Sequence, residues 1–226
     1  MLEGKSLRAC ANEVGICLKT SFEWRHKILA AIRALEGGIS FSGIVEADEL
    51  LMKYSEKGRK FKNKEEYRKA KNKKHPKVAV LVVTDREGNL LFKQVGEKKV
   101  KNEQLREELK NRLSENNLIC VKPKKEFRKG VKGLQSKKVI VNKRQLKRGI
   151  YSVKIVESKI SDFKTWLSRF HGVATKYLQS YLMWFVVMNK YLKELIDPDI
   201  GRLLNLSSHD RWAWDKYREI VSQRYE

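Results

Sequence analysis

Cysteine and acidic side chains are the scarce components of this 226-residue chain, which has 3 cysteines and 27 Asp and Glu. Cys10, Cys17 and Cys120 are odd in number and include no Cys-x-x-Cys pair. That excludes a disulfide framework and a cysteine-based zinc site, so reduced, partly buried thiols are expected. No apolar run reaches the ~18 residues needed to span a bilayer, and the opening Met1-Leu2-Glu3-Gly4-Lys5 is not a secretory signal. An intracellular protein with no membrane partner is expected. The acids are outnumbered by 50 Lys and Arg, which leaves a net charge of +23 and a pI of about 9.9. That surplus exceeds what solubility requires and attracts a polyanion by counterion release, which makes nucleic acid the leading partner. At 41% hydrophobic residues the chain can bury a sizeable core, so one main domain with a small appended unit is the default.

The most structured stretch runs from Ile150 to Tyr191. Val156, Ile160, Phe163, Trp166, Leu167 and Phe170 recur at helical spacing and give one apolar face that must find a core. Glu157 and Lys164 lie seven residues apart, two turns along, so an acid and a base project in the same direction. Gly172 breaks the pattern, and a second apolar run from Tyr177 to Trp184 follows Thr175 as its N-cap. A core helix hairpin with a solvated ion pair would give the same spacing.

Upstream, Leu7, Ala11 and Val14 space as a short helix and Gly15 supplies a turn. Thr20 or Ser21 then caps a longer helix, with Glu23 at capping-box distance from Thr20. Such a pair, with Lys19, Ser21, Arg25 and Lys27 facing outward, has the pattern of a DNA-binding helix-turn-helix and equally of an ordinary helical hairpin. Ile39 to Met52 reads as a linker and then a strand interrupted by Asp48, a charge that is costly to bury unless paired or metal-bound. Lys53 to Lys77 reads as a mobile loop or frayed helix. Its one-sided charge suits a phosphate-contacting arm through Arg59 and Lys60. Val78–Thr84 and Leu90–Val95 frame a hairpin with Asp85 in its turn. A helix follows from Lys101 or Asn102 to about Leu113, then a short strand from Leu118 to Val121. From Lys122 to Arg148 comes a basic, irregular tract containing Lys124, Lys125 and Arg128 as nucleic-acid contacts and a short strand at 139–141. Strands interleaved with helices imply an α/β mixed sheet. The tail from Asp197 carries Trp212, Trp214 and Tyr217 in a terminal helix, as packing anchors or, less simply, as base-stacking rings.

GIVEADE (Gly43 to Glu49), SFEWRHKIL (Ser21 to Leu29) and FKTWLSRFHGVATKYLQSYLMW (Phe163 to Trp184) resemble the DDE insertion-sequence transposases. In that family the third acidic position is Glu or Asn and a Lys follows seven residues later. The likeness extends from about Lys5 to about Tyr191. It implies a ribonuclease-H-like domain behind a helix-turn-helix, which fall here over residues 38–195 and 1–37, and the residues beyond form the helical tail over 196–226. The family usually carries a zinc ribbon further upstream; this sequence starts inside what would be the DNA-binding region. By matching motif positions, Asp48 falls at the first metal-binding carboxylate, Glu157 at the third and Lys164 at the lysine after it. Two divalent cations, Mg2+ or Mn2+, held by such acids would activate water or a 3′-hydroxyl for in-line attack on a phosphodiester. At the second Asp of the family this chain has Lys122. An ammonium ~4 Å from a divalent ion would feel roughly twice the ~4 kcal/mol unit-charge repulsion at an effective dielectric of ~20.

The resulting expectation is a transposase-derived, duplex-DNA-binding protein with a degenerate centre, cytoplasmic and nucleoid-associated. Two alternatives stand beside it. One is an active metal-dependent transposase or nuclease using Asp48, Glu157 and a substitute acid, for which Glu126 is nearest in sequence. The other is a nucleic-acid-binding subunit of a larger RNA or protein complex. Transposases of this type generally act as multimers, which implies a homo-oligomer.

Overall fold

The run Val78 to Asp85 decides the architecture, because every one of its residues is buried. An unbroken apolar strand of that kind must be covered on both faces. In the computed structural model, which describes residues 4–142, 144–190 and 211–222, it forms β2 (Val78–Asp85). It pairs antiparallel with β1 (Ile44–Met52) on one side and with β3 (Leu90–Glu97) on the other. β4 (Leu118–Val121) lies parallel to β1, and β5 (Lys137–Ile140) lies parallel to β4. The strand order is β3-β2-β1-β4-β5, with β6 (Lys147–Arg148) and β7 (Tyr151–Ser152) forming a separate small ribbon. The α/β mixed sheet with the order and directions of a ribonuclease-H-like fold is therefore present. Asp85 closes the β2–β3 turn as expected. Its carboxylate accepts from the backbone N–H groups of Glu87 and Asn89 and also from Ser42 in the segment before β1.

Two helices connect the parallel strands. α4 (Asn102–Lys110) and α5 (Lys125–Lys132) pack against each other, and α5 lies on β4 and β5. Their close approach depends on Gly130, where a Cβ would meet Leu105 Cδ2 at 2.9 Å and the Asn102 carbonyl oxygen at 3.2 Å. α6 (Lys154–Ser168) covers β1 and β2, while α7 (Thr175–Lys190) covers β3. Phe92, Phe163 and Phe185 meet between them with ring centroids 5.0, 5.3 and 5.6 Å apart. α1 (Leu7–Val14) and α2 (Leu18–Ile32) form the expected N-terminal pair, turned by Gly15 at φ 71. α2 also packs on α7 and on the terminal α8 (Arg211–Ser222), and Leu29 and Ile32 belong to the main core.

Several local expectations are corrected. α2 starts earlier than Thr20 because Cys17 takes the capping position in extended backbone, its sulfur accepting from the Thr20 N–H. Ser21 is a buried helix residue that donates to the Leu7 carbonyl at 3.0 Å. Thr175 opens α7, but its hydroxyl accepts from the Ser55 N–H at 2.8 Å. The lysine-dense connector contains α3 (Lys64–Asn72), capped by Asn63. The connector is tied to the α6–α7 loop by Lys57, which donates to the carbonyls of Phe170, His171 and Gly172. The tract after Lys122 is not irregular: Phe127 and Val131, one turn apart, bury one side of α5. The 195/196 boundary and the Trp212 side chain lie outside the described residues.

Candidate functional site

Strand register brings the key residues together. Ala47 of β1 pairs with Val121 of β4 in parallel, so the next residues along, Asp48 and Lys122, emerge side by side. Glu157 sits in the first turn of α6, which crosses the same strand. The Lys122 ammonium lies between the two carboxylates, 2.6 Å from Asp48 Oδ2 and 2.5 Å from Glu157 Oε1. Burial alone would lower the Lys122 pKa, but hydrogen bonds to Asp48 and Glu157 outweigh it and hold the ammonium above its ordinary range. Asp48 is only 4% exposed, and its other oxygen accepts from Lys124 at 3.1 Å. Lys124 also reaches Glu49 Oε1 at 2.8 Å. These five side chains and Lys164 line a cleft of about 470 Å³. Three carboxylates face three ammonium groups there, so its formal charge sums to zero.

The sequence-predicted residues divide clearly. Asp48, Lys122, Glu157 and Lys164 converge. Lys124, expected as a phosphate contact, is engaged with Asp48 and Glu49. Glu126 does not substitute for the missing acid: it pairs with Lys99 at 2.8 Å and lies outside the cleft lining. Lys125 and Arg128 are exposed on α5, and Lys19 and Lys60 are exposed as expected. Arg59 is paired with Glu56 and Glu66. Ser21 and Arg25 do not face outward. Arg25 is 3% exposed, donates to the Lys5 carbonyl at 2.7 Å and stacks over Trp184 at 5.4 Å. Lys27 is half-buried, with its ammonium 3.6 Å from the Trp214 ring centroid, so that tryptophan serves as a packing anchor. The helical periodicity placed these residues on α2 but could not show that α7 and α8 cover it.

Glu46 escaped the sequence reading. It is fully buried on β1, on the same face as Asp48 two residues on, and accepts from the N–H groups of Ile155 and Val156 at 2.9 and 3.1 Å. Ser152 Oγ donates to its other oxygen at 3.1 Å. Val153, the N-cap of α6, supplies no side-chain hydrogen bond, so Glu46 caps that helix from the neighbouring strand. Burial pushes the Glu46 carboxyl above the ordinary range, and the hydrogen bonds from Val156, Ser152 and Ile155 pull it partly back. The available signal was the Glu46-x-Asp48 alternation, which puts two acids on one face of a buried strand.

A family model described as the ISXO2-like transposase domain matches residues 40–187, most of this chain. The chain belongs to the ISXO2-like transposase family. No curated protein matches. A crystal structure of a pre-cleavage Mos1 transpososome aligns with 98% of this chain and 76% of that chain at 10% identity. Its TM-score is 0.31, a likeness too slight to bear on the site. DDE transposases generally use Mg2+ or Mn2+. The donor set here does not fit such an ion. Two carboxylates remain, but the space between them holds the Lys122 ammonium at hydrogen-bond distance from both. Among the described residues no three His, Cys, Asp or Glu side chains converge as metal ligands.

Proposed function

We propose that this protein is a transposase-family duplex-DNA-binding protein whose cutting centre is closed by its own lysine. The observation carrying this reading is the Lys122 ammonium bridging Asp48 and Glu157. A cation there would meet like charge at ~4 Å or less, worth roughly 8 kcal/mol for a divalent ion at an effective dielectric of ~20, and among the described residues no three acids converge to hold it. Breaking the ammonium–carboxylate contacts would add a further cost, because Asp48 is nearly buried.

With Lys122 and Lys124 occupied by carboxylates, the cleft itself offers little net charge for gripping DNA. α5 is the better element for that. Lys125, Arg128, Lys129 and Lys132 follow i, i+3, i+4, i+7 spacing, and all four are exposed. Lys137 and Lys138 extend the same charge along the edge strand β5. Cations on one helix face suit the backbone of a duplex, where phosphate contacts position the protein without reading sequence. A cytoplasmic, nucleoid-associated location belongs with this reading.

The test has two arms. Fluorescence anisotropy should show duplex binding that needs no divalent cation, persisting in EDTA, and that survives Asp48→Ala. Nicking and strand-transfer assays in Mg2+ or Mn2+ should show no product above background. Product that Asp48→Ala abolishes would establish an active enzyme instead, and preference for RNA at matched salt would favour an RNA-binding subunit.

A further inference from the structure

A cavity of about 820 Å³ lies away from the acidic cleft, between α1, α2 and the α6–α7 loop. Its lining combines a run of aromatic rings with a basic edge. Phe22, His26 and Tyr177 form one contiguous cluster of tilted rings, with Phe22 to His26 at 4.3 Å and His26 to Tyr177 at 4.0 Å between centroids. Tyr181 continues the run at 6.0 Å from His26, and Phe170 follows at 5.2 Å from Tyr181. Phe22 and Phe170 are half-buried, so part of each ring remains open, while Arg8 and Arg169 are exposed at the margin. His26 is only 4% exposed, lines the cavity, and its Nδ1 finds no partner among the described residues. A buried polar atom left unmade is costly and calls for an explanation.

We infer that this cavity receives a single unstacked nucleotide, with its base on the Phe22 and Phe170 rings and turned toward the buried His26, and its phosphate beside Arg8 and Arg169. Aromatic faces accept any base, guanidinium groups suit phosphate, and the volume exceeds what one nucleotide fills. Burial, together with the nearby Arg25 and Lys176 charges, lowers the His26 pKa to about 3, so the ring is neutral at physiological pH. A neutral imidazole nitrogen can donate or accept to a base edge according to its tautomer. The nucleotide chemistry leans on the nucleic-acid reading above, but the site is separate from α5, so the two can fail independently.

The experiment titrates the full-length protein with AMP, adenosine and inorganic phosphate by calorimetry and saturation-transfer NMR. AMP should bind saturably, adenosine more weakly, and phosphate alone without saturation. Phe170→Ala should weaken AMP about tenfold or more while duplex binding is kept. Because Phe170 also touches Trp166 and Trp184, the exposed Arg169→Glu serves as a second variant and should weaken AMP but not adenosine. Neutralising Lys125, Arg128, Lys129 and Lys132 should do the opposite, weakening duplex and sparing AMP. A 5′-phosphorylated trinucleotide that competes with AMP identifies a strand end as the occupant, and AMP binding without such competition identifies a free nucleotide. AMP binding no tighter than phosphate, or unchanged in folded Phe170→Ala and Arg169→Glu, overturns the assignment.

Discussion

Glu46 holds the N–H of Val156 at 3.1 Å, linking the strand that carries Asp48 to the helix that carries Glu157. One buried carboxylate thus fixes the separation of the two acids that face Lys122. Glu46→Ala would leave two first-turn N–H groups of α6 without their acceptor in a dry site. A loss of about 1–3 kcal/mol is expected. Glu46→Gln keeps an acceptor oxygen and should recover most of that loss. Urea denaturation of the three proteins measures the difference, and equal stability of the Ala variant would remove the capping role.

Lys122 should behave as a built-in substitute for a cation. Lys122→Met leaves Asp48 with Lys124 alone and frees Glu157 of its partner, so a loss of about 1–3 kcal/mol is expected for these partly buried groups. Lys122→Asp should be less stable still in EDTA, because it adds a negative charge beside Asp48 and Glu157. Adding Mn2+ should then raise the melting temperature of Lys122→Asp by mass action and leave the parent unchanged. Differential scanning fluorimetry with and without the metal reads both outcomes, and a parent that responds to Mn2+ as strongly as the variant would contradict the ammonium's place in the site.

His26 makes the fold sensitive to acid. Its pKa is lowered from 6.5 to about 3, first by burial and then by the Arg25 and Lys176 charges. The unfolded chain therefore binds a proton more readily than the folded one. The stability that depends on a neutral His26 is complete above about pH 6.5 and is lost progressively as pH falls toward about 3. At ~1.4 kcal/mol per unit the full loss is of order 3–5 kcal/mol. His26→Phe should flatten the urea-midpoint profile across that window, whatever its effect at neutral pH. An unchanged slope would mean that the histidine can be protonated in the native state.

Much of this arrangement was legible in the sequence, for identifiable reasons. β2 and β4 were plain because uninterrupted apolar runs bounded by turn residues have few other solutions. Asp48 was conspicuous as a charge inside such a strand, and Glu157 and Lys164 followed from helical spacing and the family motif. What escaped depended on who packs against whom. Arg25 and Ser21 lie on a helix whose polar residues look solvent-facing until α1 and α7 pack over it. α5 was hidden because its two buried residues, Phe127 and Val131, sit among lysines that mimic a disordered tract. Lys124 was read as a grip for phosphates, whereas the parallel register of β1 and β4 turns it inward beside Lys122 onto carboxylates.

That last reversal sets the prediction for DNA binding. If the cleft lysines are spent on Asp48, Glu49 and Glu157, their loss should hardly alter the number of counterions released on binding, whereas the exposed face of α5 should control it. Replacing Lys125, Arg128, Lys129 and Lys132 by Gln should shallow the slope of log affinity against log salt by up to about 3.6, at ~0.9 for each phosphate no longer contacted. Lys124→Gln, by contrast, should change that slope by well under one unit, and the effect of each replacement should be similar across unrelated duplex sequences because phosphate contacts carry no base information. Anisotropy titrations between about 50 and 200 mM salt separate the two sets over a range where such contacts dominate. A slope governed by Lys124 rather than by α5 would mean that DNA enters the acidic cleft and displaces its internal ion pairs.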